Sequence, residues 1–478
     1  MADTADVVLD AATAAGAAYC DCRVVERTIQ SVTVKNGRVN NVGQSEDGGC
    51  GVRVLVDGAW GFAGTQRTDT AALEECVRLA VRIARASART AVAPVQLAPA
   101  AAVTATYATP VRIDPFAVSL GDKIALLLAA DAALDVPGVT TRQGSLAAIR
   151  RHQLFASSEG SRIVQTITET GGGLDATATG EGEVQTRSFP NSFGRQQLTA
   201  GWEAVEEMDL AGSAPRVAEE AVALLTADLC PAGTMTLILD ATQAALQVHE
   251  SCGHPTELDR VLGYEAAYAG TSFLMPEMRG SFRYGSDAVT ISADATSPRG
   301  LGTFGYDDEG VPAQRTVLID RGIFSGYLSS RETASQLGLA SGGTVRAESW
   351  NRLPMIRMTN INLEPGESSL EEMIATTERG VYLETNRSWS IDDRRLNFQF
   401  GTQLGWEIRG GRRVRMVRNP LYSGSTPVFW GSCDAVAGPD EWRMYGVVNC
   451  GKGQPSQVMH VGHGAAPCRF RNVAVRAA

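Results

Sequence analysis

Histidine is scarce in this chain: five of 478 residues, at positions 152, 249, 254, 460 and 463. Positive charge is also short, with 43 Lys and Arg against 53 Asp and Glu and a net charge of −10. That balance argues against a nonspecific nucleic-acid binder, which needs a basic face. No stretch approaches the roughly 18 uninterrupted apolar residues that mark a membrane helix; IALLLAA at 124–130 stops at Asp131. The opening residues MADTADVVLDAATAAG carry Asp3, Asp6 and Asp10 and no basic segment, so no signal peptide is expected. Nine cysteines lie scattered, an odd number without dense spacing, which reads as reduced thiols and not a disulfide framework. Together these absences predict a cytoplasmic protein without a membrane or nucleic-acid partner. Disorder is excluded too, because 44% of the residues are hydrophobic and only 20% charged.

Glycine, by contrast, is abundant, at 50 residues. Such a surplus fits many tight turns and much antiparallel sheet. Asn36-Gly37 and Asp57-Gly58 each sit between strand-like runs, the strongest short hairpin signal. Helical spacing predicts helices near 2–19, 68–86, 119–134 and 214–227, while the Ala/Pro/Thr-rich stretch at 90–110 has neither period and reads as a linker. Further on, VLIDRGIFSGYL and WEIRGGRRVRMV look like hairpins, and SSLEEMIATTERG looks like a capped helix ending at Gly380. The expected class is α+β: antiparallel sheets with packed helices, an N-terminal α/β region and a larger, β-rich C-terminal metal-binding domain. The division expected is 1–228, with subunits at about 1–90 and 110–228, followed by 229–478.

Two of the five histidines fall in one six-residue window, His249-Glu250-Ser251-Cys252-Gly253-His254. Chance expectation for H-E-x-x-x-H at this composition is roughly 0.003, so the match is informative. Asp240 and Gln243 form a D-x-x-Q capping signal for the helix leading into it. The spacing is awkward. Residues i and i+5 of an α-helix point about 140° apart, which splays the two imidazoles. Gly253 permits unusual dihedrals and Pro255 biases His254 out of the α region, so a π-bulge or an unwound last turn can bring both rings to one metal. Glu250 is then placed to act as general base toward a metal-bound water. A catalytic zinc wants a third protein ligand, for which Cys450, His460, His463, Glu257 and Asp259 are candidates.

Several stretches give the sequence a family likeness: HESCGHPTELDR, YDDEGVPAQRTVLIDRGIFSGYL, RLPMIRMTN, SSLEEMIATTERGVY and NCGKGQPSQVMHVGHG. Over nearly its whole length it resembles the TldD/PmbA (modulator of DNA gyrase) metalloproteases, on the TldD side. The resemblance implies Zn2+ held by His249, His254 and Cys450 with Glu250 as the base. It also implies a peptidase for unfolded or extended peptides, acting as a homodimer or with a PmbA/TldE-like subunit. One departure is the pair His460 and His463, in a segment that is not histidine-rich in the best-known members. His463 and Asp308 are taken as candidate substrate contacts, although Asp307-Asp308-Glu309 followed by Gly310 also reads as a simple turn. Gly300-x-Gly302-x-x-Gly305 precedes an acidic turn and no helix, which excludes a dinucleotide site. Two other functions stay open: a zinc amide hydrolase acting on a small-molecule biosynthetic intermediate, and a non-catalytic binding subunit that keeps a structural zinc.

Overall fold

The computed structural model describes residues 1–180 and 182–478. The fold is α+β. Its first layer is an eight-stranded sheet in the order Ala59–Thr65, Arg38–Val56, Tyr19–Lys35, Val139–Ser157, Arg162–Gly180, Thr104–Ala108, with two short strands also paired to Arg162–Gly180. The Asn36-Gly37 and Asp57-Gly58 turns have φ of 48° and 74°, and 52° and 77°, the positive pair that a tight hairpin requires. A 19-residue strand such as Val139–Ser157 spans about 60 Å at roughly 3.3 Å per residue. That length leaves room for two separate helical covers. Helices Ala2–Ala14 and Thr70–Ala88 bury Val8, Leu73 and Val77 against Val24, Val52 and Val54. Helices Leu120–Ala133 and Leu210–Thr226 bury Leu127, Val217 and Ala221 against Val32, Leu146 and Leu174. Strands from 1–90 and 110–228 thus share one sheet.

Some local expectations change. The stretch at 90–110 contains the strand Thr104–Ala108, which pairs parallel with Arg162–Thr166. Its ladder of backbone hydrogen bonds supplies what its apolar pattern lacks. The first helix stops at Ala14, because Gly16 turns the chain at φ +80°. The helix expected at 214 begins at Leu210, where the Asp209 carboxylate accepts from Gly212 N. Gly380 caps no helix: that helix ends at Ala375, and Gly380 lies in strand Arg379–Ile391, where a Cβ would come 2.5 Å from Thr236 O.

The C-terminal half is built on a closed ring of five strands: Gly233–Leu239, Arg379–Ile391, Asn397–Arg409, Pro420–Ser425 and Cys468–Ala477. Leu237, Ile238, Val381, Leu383, Phe400 and Phe470 belong to the hydrophobic core on the two faces of this ring. A hairpin of Arg443–Lys452 and Gln457–Ala465 stands beside it. Among the described residues, no helix is long and apolar enough to cross a membrane.

The acidic turn fastens the two halves together. Arg53 of the first sheet, 5% exposed, pairs with Asp21 at 2.6 Å and with Glu309 at 3.2 Å. Asp308 accepts from Gln153 Nε2 and from Ala347 N, both at 2.7 Å, with Arg23 at 3.8 Å. Gln153 and Arg23 come from the first half of the chain, so Asp308 helps to join the halves. Replacing Arg53 by Met leaves two buried carboxylates without their cation. The expected loss is about 3–5 kcal/mol of stability, read from urea unfolding. A second prediction concerns Glu384, which burial pushes up to about 7. A raised carboxyl pKa gives stability that is complete below the ordinary value near 4.5 and is lost as pH rises through about 7. Glu384→Gln should therefore flatten the fall in Tm between pH 5 and 8.

Candidate metal centre

The barrel strand Gly233–Leu239 runs directly into helix Ala241–Val248. Asp240 caps this helix through Thr242 N and Gln243 N. The other half of the expected box is absent, because the Gln243 amide donates to Tyr422 Oη at 2.8 Å instead. After Val248 the chain widens into one π-turn over His249–Gly253, closed by the bond from His254 N to His249 O. The extra residue in that turn cancels the splay of an α-helical i, i+5 pair, and the two ring centroids lie 4.9 Å apart. The bulge expected from the spacing is present, but its cause differs. Gly253 has φ −56° and His254 φ −59°, both right-handed helical, so neither an unusual dihedral nor displacement by Pro255 is involved. Gly253 is needed for space: a Cβ there would lie 2.5 Å from Met358 Sδ. Tyr284 Oη donates to Ser251 O, and Thr256 Oγ1 bonds the carbonyls of Cys252 and Gly253, so the widened turn leaves those carbonyls satisfied.

Cys450 arrives from the hairpin strand Arg443–Lys452. The pairing with Gln457–Ala465 slips between Val447 and Cys450, leaving Val448 and Asn449 as a bulge. Bulges re-aim side chains beside functional sites. Here Cys450 Sγ comes 3.8 Å from His254 Nε2. The ligand atoms of His249, His254 and Cys450 all lie within 4.8 Å of one another, and all three residues are buried. Tetrahedral zinc with N and S ligands holds its donors about 3.3–3.6 Å apart, so a small inward adjustment would complete the shell.

Both imidazoles are held from behind. His463 Nδ1 faces the Ile361 carbonyl at 3.2 Å and must donate to it, so His463 Nε2 accepts from His249 Nδ1–H at 2.7 Å. His254 Nδ1 donates to Glu257 at 2.9 Å. Each arrangement leaves a lone pair on Nε2, facing the cluster. Burial holds His249 below its ordinary pKa, and His254 and His463 well below, so the rings are neutral. Burial pushes the Cys450 thiol up and the nearby Arg357 guanidinium pulls it down, and the balance lies below its ordinary value. The thiols of Cys76, Cys230 and Cys433, in contrast, are pushed up to about 12 by burial. Neutral imidazoles and an easily ionised thiol are the ligand states a metal requires.

Glu257 is steadied by the fully buried Lys452, whose Nζ reaches Asp259 at 2.7 Å, Glu257 at 3.3 Å and Glu265 at 3.8 Å. Burial alone would lower the Lys452 pKa, but the three carboxylates raise it. Glu250 lines a cleft of about 570 Å³ together with His249, His254, Cys450, Trp389, Arg195 and Arg395. Its carboxylate accepts from Arg395 Nη1 at 2.5 Å.

Of the sequence candidates, His249, Glu250, His254 and Cys450 meet at one cleft. His463 does not line it. It is fully buried behind His249 and supports that ring. Glu257 also stands behind the cluster, and Asp259 one step further back on Lys452. His460 pairs instead with Glu169 in a separate pocket. Sequence reasoning missed Arg395 and Arg357. The run Asp392-Asp393-Arg394-Arg395 carries only the signal of a polar turn.

Comparison with known proteins places this geometry in a family. The PmbA/TldA metallopeptidase models match domain 1 at residues 20–84, the central domain at 113–229 and the C-terminal domain at 232–475. A metalloprotease of Methanothermobacter thermautotrophicus is 31% identical over 459 residues, covering 96% of this chain and 95% of the relative. A zinc metalloprotease TldD homolog of Saccharolobus solfataricus is 28% identical over 196 residues, covering 41% of this chain and 42% of the relative. TldE from Thermococcus kodakarensis shares the fold, with a TM-score of 0.74 at 15% identity, over 98% of this chain and 99% of that one. With family models matching three successive regions and a relative 31% identical over nearly its whole length, the chain belongs to the TldD/PmbA family of metallopeptidases.

Proposed function

We propose that the protein is a zinc-dependent peptidase that hydrolyses unfolded or extended peptides, with His249, His254 and Cys450 as ligands and Glu250 as the general base. The observation that carries this reading is the convergence of two Nε2 lone pairs and one thiol, all buried, at a cleft whose wall also holds a carboxylate. The donor set fits zinc in ligand type and in the back-side support of both imidazoles. When bound, zinc would supply a Lewis acid for the scissile carbonyl and acidify water at its open position. With two neutral imidazoles and one thiolate the site keeps a net charge of about +1. Glu250 removes the proton from the attacking water and returns it to the leaving nitrogen, which departs as an amine. His463 and Glu257 fix the rings in the tautomer that presents Nε2.

Two features support a peptide substrate. Residues Gly446–Gly451 run along the cleft, and the bulge at Val448 and Asn449 interrupts their pairing with the next strand there. An extended chain can bond to such backbone by strand addition. A second copy, or a subunit like the archaeal TldE that shares this fold, is the partner we propose. The nine cysteines are unpaired, which suits a reducing compartment such as the cytoplasm.

Glu250→Gln should retain zinc and lose about 10²–10⁴-fold in peptide cleavage, measured on a library of unstructured peptides. Cleavage at the wild-type rate would remove Glu250 from its role. Metal analysis after dialysis provides an independent check: Cys450→Ser should lower zinc occupancy, while His460→Ala should leave it unchanged. His463→Leu should weaken zinc binding about 10–100-fold, and His463→Gln, which still offers His249 an acceptor, should weaken it less.

A further inference from the structure

Proton transfer by Glu250 does not account for the cation that touches it. Arg395 stands in the turn between strands Arg379–Ile391 and Asn397–Arg409, at φ +63°, a conformation a non-glycine residue seldom adopts. The turn is firmly built. The Asp392 carboxylate accepts from Arg394 N, Leu396 N and Asn397 N at 3.1, 2.8 and 2.9 Å. Arg395 N donates to Asp392 O at 2.8 Å, and Thr426 Oγ1 donates to Arg395 O at 3.0 Å. Strain held in place this firmly is typical of functional positions.

The side chain that this turn aims is incompletely used. Nη1 bonds Glu250, but Nε is buried and, among the described residues, has no acceptor. The residue lines the same cleft as Glu250 and the three candidate ligands. A group serving only to neutralise Glu250 has no need to line the cleft, as Arg395 does. During hydrolysis the negative charge moves. Glu250 loses its charge as it takes the proton, while the carbonyl oxygen gains one. A guanidinium fork that reaches both positions keeps a negative partner throughout, without reorganising.

We propose that Arg395 is a catalytic residue that donates to the scissile carbonyl oxygen as it becomes an oxyanion, an inference that rests on the peptidase reading above. As the water oxygen bonds to the carbonyl carbon, the proton goes to Glu250 and the C=O π pair moves onto the oxygen facing Arg395. When that pair returns, the C–N bond breaks, and the nitrogen takes the proton back from Glu250.

The test compares zinc-loaded wild type with Arg395→Met and Arg395→Lys. The measurements are kcat and KM on the fastest-cleaved member of the peptide library, zinc content, and affinity for a phosphinic pseudopeptide of the same sequence. The phosphinic group carries the tetrahedral, anionic shape without reacting. Arg395→Met is expected to keep its zinc and its KM within about threefold. It should lose about 10²–10³-fold in kcat and a comparable factor in phosphinic affinity, with partial recovery in Arg395→Lys. If the Met variant does not fold, the Lys variant carries the test, with an expected loss of about tenfold or more in both quantities. A kcat within threefold of wild type overturns this inference alone. So does a loss of kcat with phosphinic affinity unchanged, which would make Arg395 a prop for Glu250. Wild type that holds zinc but cleaves no peptide overturns the peptidase reading, and this inference falls with it.

Discussion

One backbone hydrogen bond, from His254 N to His249 O, sets how the two imidazoles of the centre face each other. It is one residue longer than an α-helical bond, and it turns a pair of imidazoles that would diverge into a pair that converges. A π-turn is a poor local minimum and persists only when its surroundings compensate. Here Tyr284, Thr256 and Trp430 bond the Ser251-to-Gly253 backbone and the Ser251 hydroxyl, and Met358 packs where a Cβ at position 253 would sit. The barrel strand feeding this helix is paired on both sides, so the helix start is fixed as well.

Behind that bond lies an electrostatic arrangement that is expensive to build. Lys452 gathers Glu257, Asp259 and Glu265, while Glu257 also accepts from His254 and Glu265 pairs with Arg260, so that all six form one buried polar cluster. Buried charges on this scale rarely stabilise a fold more than well-packed apolar groups would. Their value is positional. Glu257 holds the His254 ring, and its cation, Lys452, sits two residues from Cys450 on the same strand. The side holding His249 uses a neutral histidine and a carbonyl instead, so only one of the two imidazoles has a carboxylate behind it.

Much of this was legible in the sequence, for identifiable reasons. The hairpins at Asn36-Gly37 and Asp57-Gly58 follow from residues that tolerate positive φ. The four N-terminal helices follow from their period, to within a few residues at each end. The strand Thr104–Ala108 was hidden because its alternating exposure carries no apolar signal; its partner, 58 residues downstream, creates it. Gly253 was visible as important, but for the wrong reason, since dihedral freedom can be guessed from a residue type and the proximity of Met358 cannot. His463 and Asp308 show the same limit. Both were legible as chemically capable side chains, and only packing reveals that one backs the His249 ring while the other joins two halves of the chain.

The sequence by itself determined which groups are the candidates for chemistry: two histidines too far apart for an ordinary helix, a carboxylate between them, and a family likeness that names a distant thiol. It could do so because ligand type and local spacing are properties of the covalent chain. Tertiary structure decided how those groups are held and which others assist them. The Lys452 cluster and the Arg395 turn that reaches Glu250 depend on contacts between residues more than a hundred positions apart, and the hairpin bulge that aims Cys450 counts only because the fold carries it to a helix some two hundred positions earlier. Histidine scarcity is consistent with this division. Of the five, three stand within 5 Å of a neighbouring ring at one centre, because a third histidine 209 positions beyond His254 folds in behind the first.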